Sequence, residues 1–138
     1  MTNTTDIFAT LASVIGYELP DDEATDSFDM LPAMLGTQDP KKSIRPHLLT
    51  QSFRGEFQIR QGMWKYLDHK GSGGNNYEKS EALHPYMLPE KAPDAPGQLY
   101  HLDEDPGETT NLYFKHGEIV EELRTQLHAY RDSGRSRP

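Results

Sequence analysis

The stretch that decides the fold is Phe57-Gln58-Ile59-Arg60-Gln61-Gly62-Met63-Trp64-Lys65-Tyr66-Leu67. Large apolar and polar side chains alternate on both sides of Gln61-Gly62, the period-two pattern of two half-buried strands joined by a tight turn. Taking Gln61-Gly62 as a two-residue loop pairs Ile59 with Trp64 and Phe57 with Tyr66. Four large apolar groups then share one face, with Gln58 opposite Lys65 on the other. Gln61 suits a positive φ poorly, so a bulged turn with Gly62 in the left-handed region is the alternative register.

Outward from this hairpin, His47 to Phe53 reads as a preceding strand and Gln98 to Leu102 as a following one. Between them, residues 71–97 are punctuated by Gly71-Ser72-Gly73-Gly74, Pro85, Pro89, Pro93, Pro96 and Gly97, which predicts a long functional or disordered loop. Asp105-Pro106-Gly107 turns the chain, and 118–131 is the clearest helix, with Ile119, Val120, Leu123, Leu127 and Tyr130 as its apolar stripe. Glutamates crowd its start and Arg124, His128 and Arg131 its end, as the helix dipole favours. Upstream, Ile7, Leu11, Val14 and Ile15 fall at helical spacing before Gly16, and Ser27 to Gly36 reads as a second short helix with Pro32 in its middle.

The expectation is therefore one α+β domain over 1–138. A small antiparallel sheet of about four strands carries the C-terminal helix on one face, with two short N-terminal helices at its edge. Residues 1–40 form a helical lead-in and 41–138 the sheet and C-terminal helix. Trp64, Tyr66, Leu99, Leu102, Ile119, Leu123 and Leu127 are the expected core.

Composition removes several function classes. Lys and Arg number 14 against 22 Asp and Glu, a net charge of −8, so no basic stripe exists to displace counterions from nucleic acid or to seek an anionic membrane. The chain has no cysteine, which excludes disulfides, thiolate metal sites, thiol nucleophiles and any cofactor made from a cysteine side chain. No apolar run approaches the roughly 18 residues of a membrane span, and Met1 to Asp6 carry no signal-peptide pattern.

Chemical motifs are few. The six histidines never take His-x-His or His-x3-His spacing, so no zinc pair is expected. Asp103-Glu104-Asp105 begins like a calcium loop, yet Phe114 stands at the twelfth position, where a bidentate glutamate is needed; an acidic turn is expected instead. No serine sits in a Gly-x-Ser-x-Gly elbow. Gly71, Ser72, Gly73 and Gly74, with Lys65 and Lys70 nearby, are the candidate binding residues, as a backbone-amide nest for a sulfate, phosphate or carboxylate; a plain flexible turn is the alternative. Arg131, Arg135 and Arg137 read as a solvated tail.

Four stretches in order resemble one family: Asp6-Ile7-Phe8-Ala9-Thr10-Leu11 with Gly16, the Ile59–Tyr66 hairpin, the run Leu99-Tyr100-His101-Leu102-Asp103-Glu104-Asp105-Pro106-Gly107-Glu108-Thr109-Thr110-Asn111-Leu112, and the helix from Gly117. The chain resembles the C-terminal portion of the sulfatases, the arylsulfatase branch of the alkaline-phosphatase-like superfamily. That resemblance implies hydrolysis of sulfate esters by a formylglycine nucleophile beside calcium, and a periplasmic or secreted setting. Formylglycine is made within C/S-x-P-S-R, which is absent here, and the family's metal-binding and catalytic residues lie in its larger N-terminal domain. No catalytic residue, metal ligand or cofactor is therefore assigned to this chain. Two positions depart from the family pattern: Gly117 stands where Pro is frequent and His101 where Asp is usual.

The expected role is a segment that supports the absent catalytic domain and lines its substrate cleft through residues 71–97. By the same resemblance the first helix lies against that domain, so in this chain its apolar face should be exposed or self-associated. The rival expectation is a stand-alone anion or sulfated-glycan binding module using Gly71 to Gly74 with Lys65 and Lys70, reported by quenching of Trp64.

Overall fold

Strands β1 (Leu48–Gln51), β2 (Phe57–Gln61), β3 (Trp64–Leu67) and β4 (Gln98–His101) form a four-stranded antiparallel meander in that order. The structure is a computed structural model in which residues 1–73 and 77–138 are described. Helices α1 (Asp6–Val14) and α2 (Leu31–Met34) precede the sheet, and α3 (Gly117–Ser133) follows it. The chain divides into two compact units, residues 1–48 with 128–138 and residues 49–127.

In the second unit the hairpin register differs from the expected one. Gln61 pairs with Trp64 and Ile59 with Tyr66, so the loop is Gly62-Met63 rather than Gln61-Gly62. Gly62, at φ +57°, takes the first loop position, where a II′ turn requires a positive φ, and Gln61 stays in the strand. The change displaces the pairing by an even number of residues, so each side chain keeps its face. Tyr66 faces Leu99 and Trp64 faces His101 in the next ladder. Gly97 opens β4 because a Cβ there would come within 2.7 Å of the Leu67 carbonyl oxygen.

Ile59, Tyr66 and Leu99 on one sheet face are buried, as are Val120, Leu123 and Leu127 on α3. Of the expected core, Trp64, Leu102 and Ile119 are only half-buried. Trp64 belongs to the last rung of the ladder, where its indole packs edge-on to His101 (centroids 4.5 Å apart) and tilted against His116 (5.1 Å).

In the first unit α2 is a single turn, not the helix expected from Ser27. The amides of Phe28 and Met30 donate to Asp6 Oδ1 (3.0 Å) and Thr10 Oγ1 (3.0 Å), while Ser27 Oγ accepts from the Ala9 amide (2.8 Å). Side chains of α1 thus capture the donors that a helix would have used internally. Pro32 falls in the first turn of α2, where no donor is required. Helix α1 closes as expected, with Gly16 donating to the Ser13 carbonyl (3.1 Å) and Tyr17 to that of Ala12 (2.8 Å).

Arg131 is exposed as expected, but from Arg135 onward the C-terminal tail is docked, contrary to the solvated reading. Ser136 is buried, its amide donating to Asp26 Oδ1 (2.8 Å), and the Arg137 guanidinium donates to the Pro20 (2.7 Å) and Glu23 (2.9 Å) carbonyls. Among the described residues no helix is long and apolar enough to cross a membrane.

Candidate functional site

Alternation along the hairpin places Gln58 and Lys65 on the sheet face opposite Ile59 and Tyr66. That outer face, with Gln98 and Tyr100 from β4, floors a cleft of about 640 Å³ within the second unit. Gly71, Ser72 and Gly73 form part of its wall together with Lys70, and the segment from Tyr86 to Lys91 lines it further. Of the candidate residues, Lys65, Gly71, Ser72 and Gly73 therefore meet at one cleft; Gly74 lies outside the described residues.

Gly71 and Gly73 both have positive φ (+71° and +69°). Gln98 braces this loop: its Nε2 donates to the His69 (3.0 Å) and Gly71 (2.8 Å) carbonyls, and its Oε1 accepts from the Tyr100 hydroxyl (2.7 Å). Burial, with the nearby Glu90, Glu108 and Asp105 charges, pushes the Tyr100 hydroxyl up to about 12. The Lys65 ammonium donates to both oxygens of Glu108 (2.7 and 2.9 Å). The Lys70 ammonium donates to the Pro93 carbonyl (2.8 Å) and that of Lys91 to Thr110 Oγ1 (3.0 Å). Trp64 sits on the other face of the sheet from Lys65, which makes it a poor reporter of this cleft.

Glu108 was legible only as part of the family-like run, yet it shapes the cleft. It holds φ +54°, a left-handed conformation costing a non-glycine residue about 1–2 kcal/mol. The Asp105 carboxylate sustains it by accepting from the Thr109 (2.8 Å) and Thr110 (2.8 Å) amides, which hold that carboxyl below its usual range against the opposing effect of desolvation. The expected acidic turn is thus a backbone cap. Asn111 Oδ1 accepts from the Leu99 (3.1 Å) and Tyr113 (3.1 Å) amides, and its Nδ2 donates to the Gly97 carbonyl (3.3 Å). The run Asp105 to Asn111 is a clasp that ties β3 and β4 together. Gln58, Gln98 and Tyr100 could have been found from the sequence, since period two places them on the face of Lys65.

The first unit presents a different surface. Its helix α1 buries Asp6, Ala9, Thr10 and Ala12 and turns its apolar side outward, with Ile7 58%, Phe8 57%, Leu11 58% and Ile15 79% exposed. Met34 and Leu35 at the end of α2 are also exposed. Within, Arg45 donates to both carboxylate oxygens of Asp6, to the Asp26 carbonyl (2.6 Å) and to that of His47 (3.3 Å), and stacks 4.3 Å over the Phe28 ring. Burial alone would raise the Asp6 carboxyl; hydrogen bonds from Arg45, Asn3 and Phe28 and the Arg45 charge outweigh it and hold the group low.

The formylglycine and calcium implied by the resemblance do not fit the residues present. The sequence has no cysteine, and Ser133-Gly134-Arg135-Ser136-Arg137 lacks the required proline. Among the described residues no three His, Asp or Glu side chains stand together as a metal site.

Fold and surfaces define a helix-backed α+β segment with a polar cleft in one unit and an unpartnered apolar face in the other. No protein-family model matches the chain. It is 32% identical over 122 residues to an N-acetylgalactosamine-6-O-sulfatase of Bacteroides thetaiotaomicron, covering 88% of this chain and 22% of that protein. It is 33% identical over 110 residues to arylsulfatase A of Homo sapiens, covering 78% of this chain and 21% of that protein. A solved Bacteroides thetaiotaomicron structure, described as a 6S-sulf from work on the metabolism of glycosaminoglycans, superimposes with a TM-score of 0.68 at 30% identity, over 92% of this chain and 24% of the other. A structure described as Ps i-CgsB shares the fold alone, with a TM-score of 0.56 at 17% identity, over 91% of this chain and 23% of the other. The chain corresponds to a segment of the sulfatase family and spans about a fifth to a quarter of the length of the relatives it matches.

Proposed function

We propose that this chain is the C-terminal lobe of a sulfatase, which buttresses a catalytic domain and contributes one wall of its substrate cleft. The observation that carries this reading is the outward apolar side of α1, continued by Met34 and Leu35. A helix that buries aspartate and threonine while exposing isoleucine, phenylalanine and leucine is oriented for a neighbour, because water penalises an apolar patch of this size. The relatives are four to five times longer than the segment they share with this chain, so the neighbour is the remainder of the sulfatase polypeptide. Sulfate-ester cleavage needs an activated nucleophile, neutralisation of the sulfuryl oxygens and an acid for the leaving group, and that machinery belongs to the neighbour.

The test is hydrolysis of 4-nitrophenyl sulfate with calcium, by this chain alone and by this chain co-expressed with the remainder of its parent polypeptide, identified by C/S-x-P-S-R in adjoining coding sequence. No turnover is expected from the chain alone and full turnover from the pair. Appreciable hydrolysis by the isolated chain refutes the reading, as does a remainder that is equally stable and active without it.

A further inference from the structure

We infer that the segment Arg135 to Pro138 is a strap that sets the docking side of α1, with Ser136 and Arg137 as positioning residues that clamp the strained stretch around Ala24. This rests on the assembly reading, since it concerns how the outward apolar side of α1 is made ready for the neighbour. Every contact involved lies within the first unit.

Ala24 has φ +47°, a left-handed conformation that its Cβ disfavours. Such a residue keeps that conformation only where its surroundings impose it. The strap grips the chain on both sides of it. Before Ala24, the Arg137 guanidinium donates to the Pro20 (2.7 Å) and Glu23 (2.9 Å) carbonyls. After it, the Ser136 and Arg137 amides donate to the Thr25 carbonyl (3.2 and 2.9 Å), and the Ser136 amide reaches Asp26 Oδ1 (2.8 Å) as well. Arg135 stiffens the strap from within, donating to the Arg137 (2.9 Å) and Pro138 (2.7 Å) carbonyls. Charge favours the same pairing, because two arginines meet a stretch that carries Asp21, Asp22, Glu23 and Asp26.

The clamped stretch is also what α1 leans on. The Asp26 carbonyl accepts from Arg45 (2.6 Å) and from Thr5 Oγ1 (3.4 Å), and Arg45 in turn holds the Asp6 carboxylate. Ser27, whose amide donates to the Ala24 carbonyl (2.8 Å), accepts from the Ala9 amide (2.8 Å). Contacts therefore run from the strap through Asp26 and Ser27 to the buried side of α1, which fixes where the opposite side, with Ile7, Phe8 and Leu11, points. Apart from the exposed Pro138, the strap carries no apolar side chain. Hydrogen bonds hold it, so it opens well below the cost of unfolding a packed core. Opening frees Ala24 to leave its left-handed conformation, and the population of chains ready to dock falls.

The experiment measures, by calorimetric titration, the affinity of this chain for the remainder of its parent polypeptide, with and without residues 135–138, alongside amide exchange of each chain. The natural chain should pair. Deletion should raise Kd about tenfold, the loss expected when the competent state falls to about a tenth of the molecules. In the deleted chain, exchange should rise at residues 6–14 and 24–30 and stay unchanged at 57–67. A synthetic peptide of residues 132–138, added in trans, should recover most of the affinity, and less of it at high salt. Ala24→Gly takes the left-handed conformation freely, so in the deleted chain it should also recover part of the affinity, a response that loss of a merely structural tail would not give. Arg137→Ala leaves the strap backbone in place, should weaken pairing several-fold and carries the test if the deleted chain fails to fold. Equal affinity with and without the strap, or a loss that neither the peptide nor Ala24→Gly recovers, overturns the inference while leaving the assembly reading intact. Failure of the natural chain to pair overturns the assembly reading and this inference with it.

Discussion

In the second unit the deepest side chains are Ile59, Leu99, Leu123 and Leu127, whereas in the first unit they include Asp6 and Arg45, while Ile7, Phe8 and Leu11 face outward. The second unit is organised by the hydrophobic effect, with polar groups left to the outer sheet face and its cleft. The first unit buries Ala9, Ala12, Phe28 and Met30 around hydrogen bonds to one buried carboxylate, and leaves the larger apolar side chains of α1 exposed. The two units therefore differ in what they bury: aliphatic side chains of strands and helix in one, a hydrogen-bonded ion pair beneath an outward apolar helix side in the other.

The largest expected effect separates these two kinds of stability. Asp6→Ala leaves Arg45 buried without its counter-charge and should cost about 3–5 kcal/mol, read by denaturant unfolding, with the losses appearing first in amide exchange of residues 6–14 and 27–30. If it costs no more than an average surface change, the buried pair is not what organises the first unit. Leu127→Ala removes a fully buried side chain and should cost about 2–5 kcal/mol in the same measurement. Asn111→Ala strips the clasp of three hydrogen bonds and should cost about 1–3 kcal/mol, with exchange rising at Leu99 and Tyr113.

Acid and alkali should discriminate the units more gently. The folded pKa of Asp6 is depressed, so its contribution is fully present above the unfolded value near 4 and is lost as pH falls through the folded one; acid should loosen the first unit. The Asp105 carboxyl is also held low but lies exposed, where solvent screening makes its contribution small. Tyr100 is raised to about 12, and Tyr66, by burial and its hydrogen bond to Asp68, is raised as well. Their contribution is fully present below the unfolded value near 10 and disappears as pH rises through the folded ones, so alkali should loosen the second unit. Far-UV circular dichroism of the natural chain across pH 2–12, about the span of these groups, together with exchange mapping, checks both arms.

Much of this was written in local patterns. Alternation in Phe57–Leu67 gave both sheet faces, and a period near 3.6 gave α3, because each depends on neighbours a few residues apart. What escaped detection depended on distant partners. Nothing local in Ser27–Met30 announces that Asp6 and Thr10 will take its amide hydrogens, and nothing in Ser136-Arg137 announces the carbonyls of Pro20 and Glu23. The turn position hinged on which loop residue carries the positive φ, and Gly62 took the first place. At the cleft, Lys65 and the glycines were visible as types, but the pairing of Lys65 with Glu108, 43 residues away, was not.

The smallest expected effect on stability belongs to the outward side of α1, where Leu11→Asp should alter unfolding by less than about 0.5 kcal/mol. That substitution gives the most direct test of the account. Size-exclusion chromatography with light scattering, on this chain mixed with the remainder of its parent sulfatase, should show a one-to-one complex for the natural sequence and two separate species for an equally folded Leu11→Asp. Co-migration of the variant as strong as that of the natural chain, or a natural chain that pairs only with itself, would contradict it.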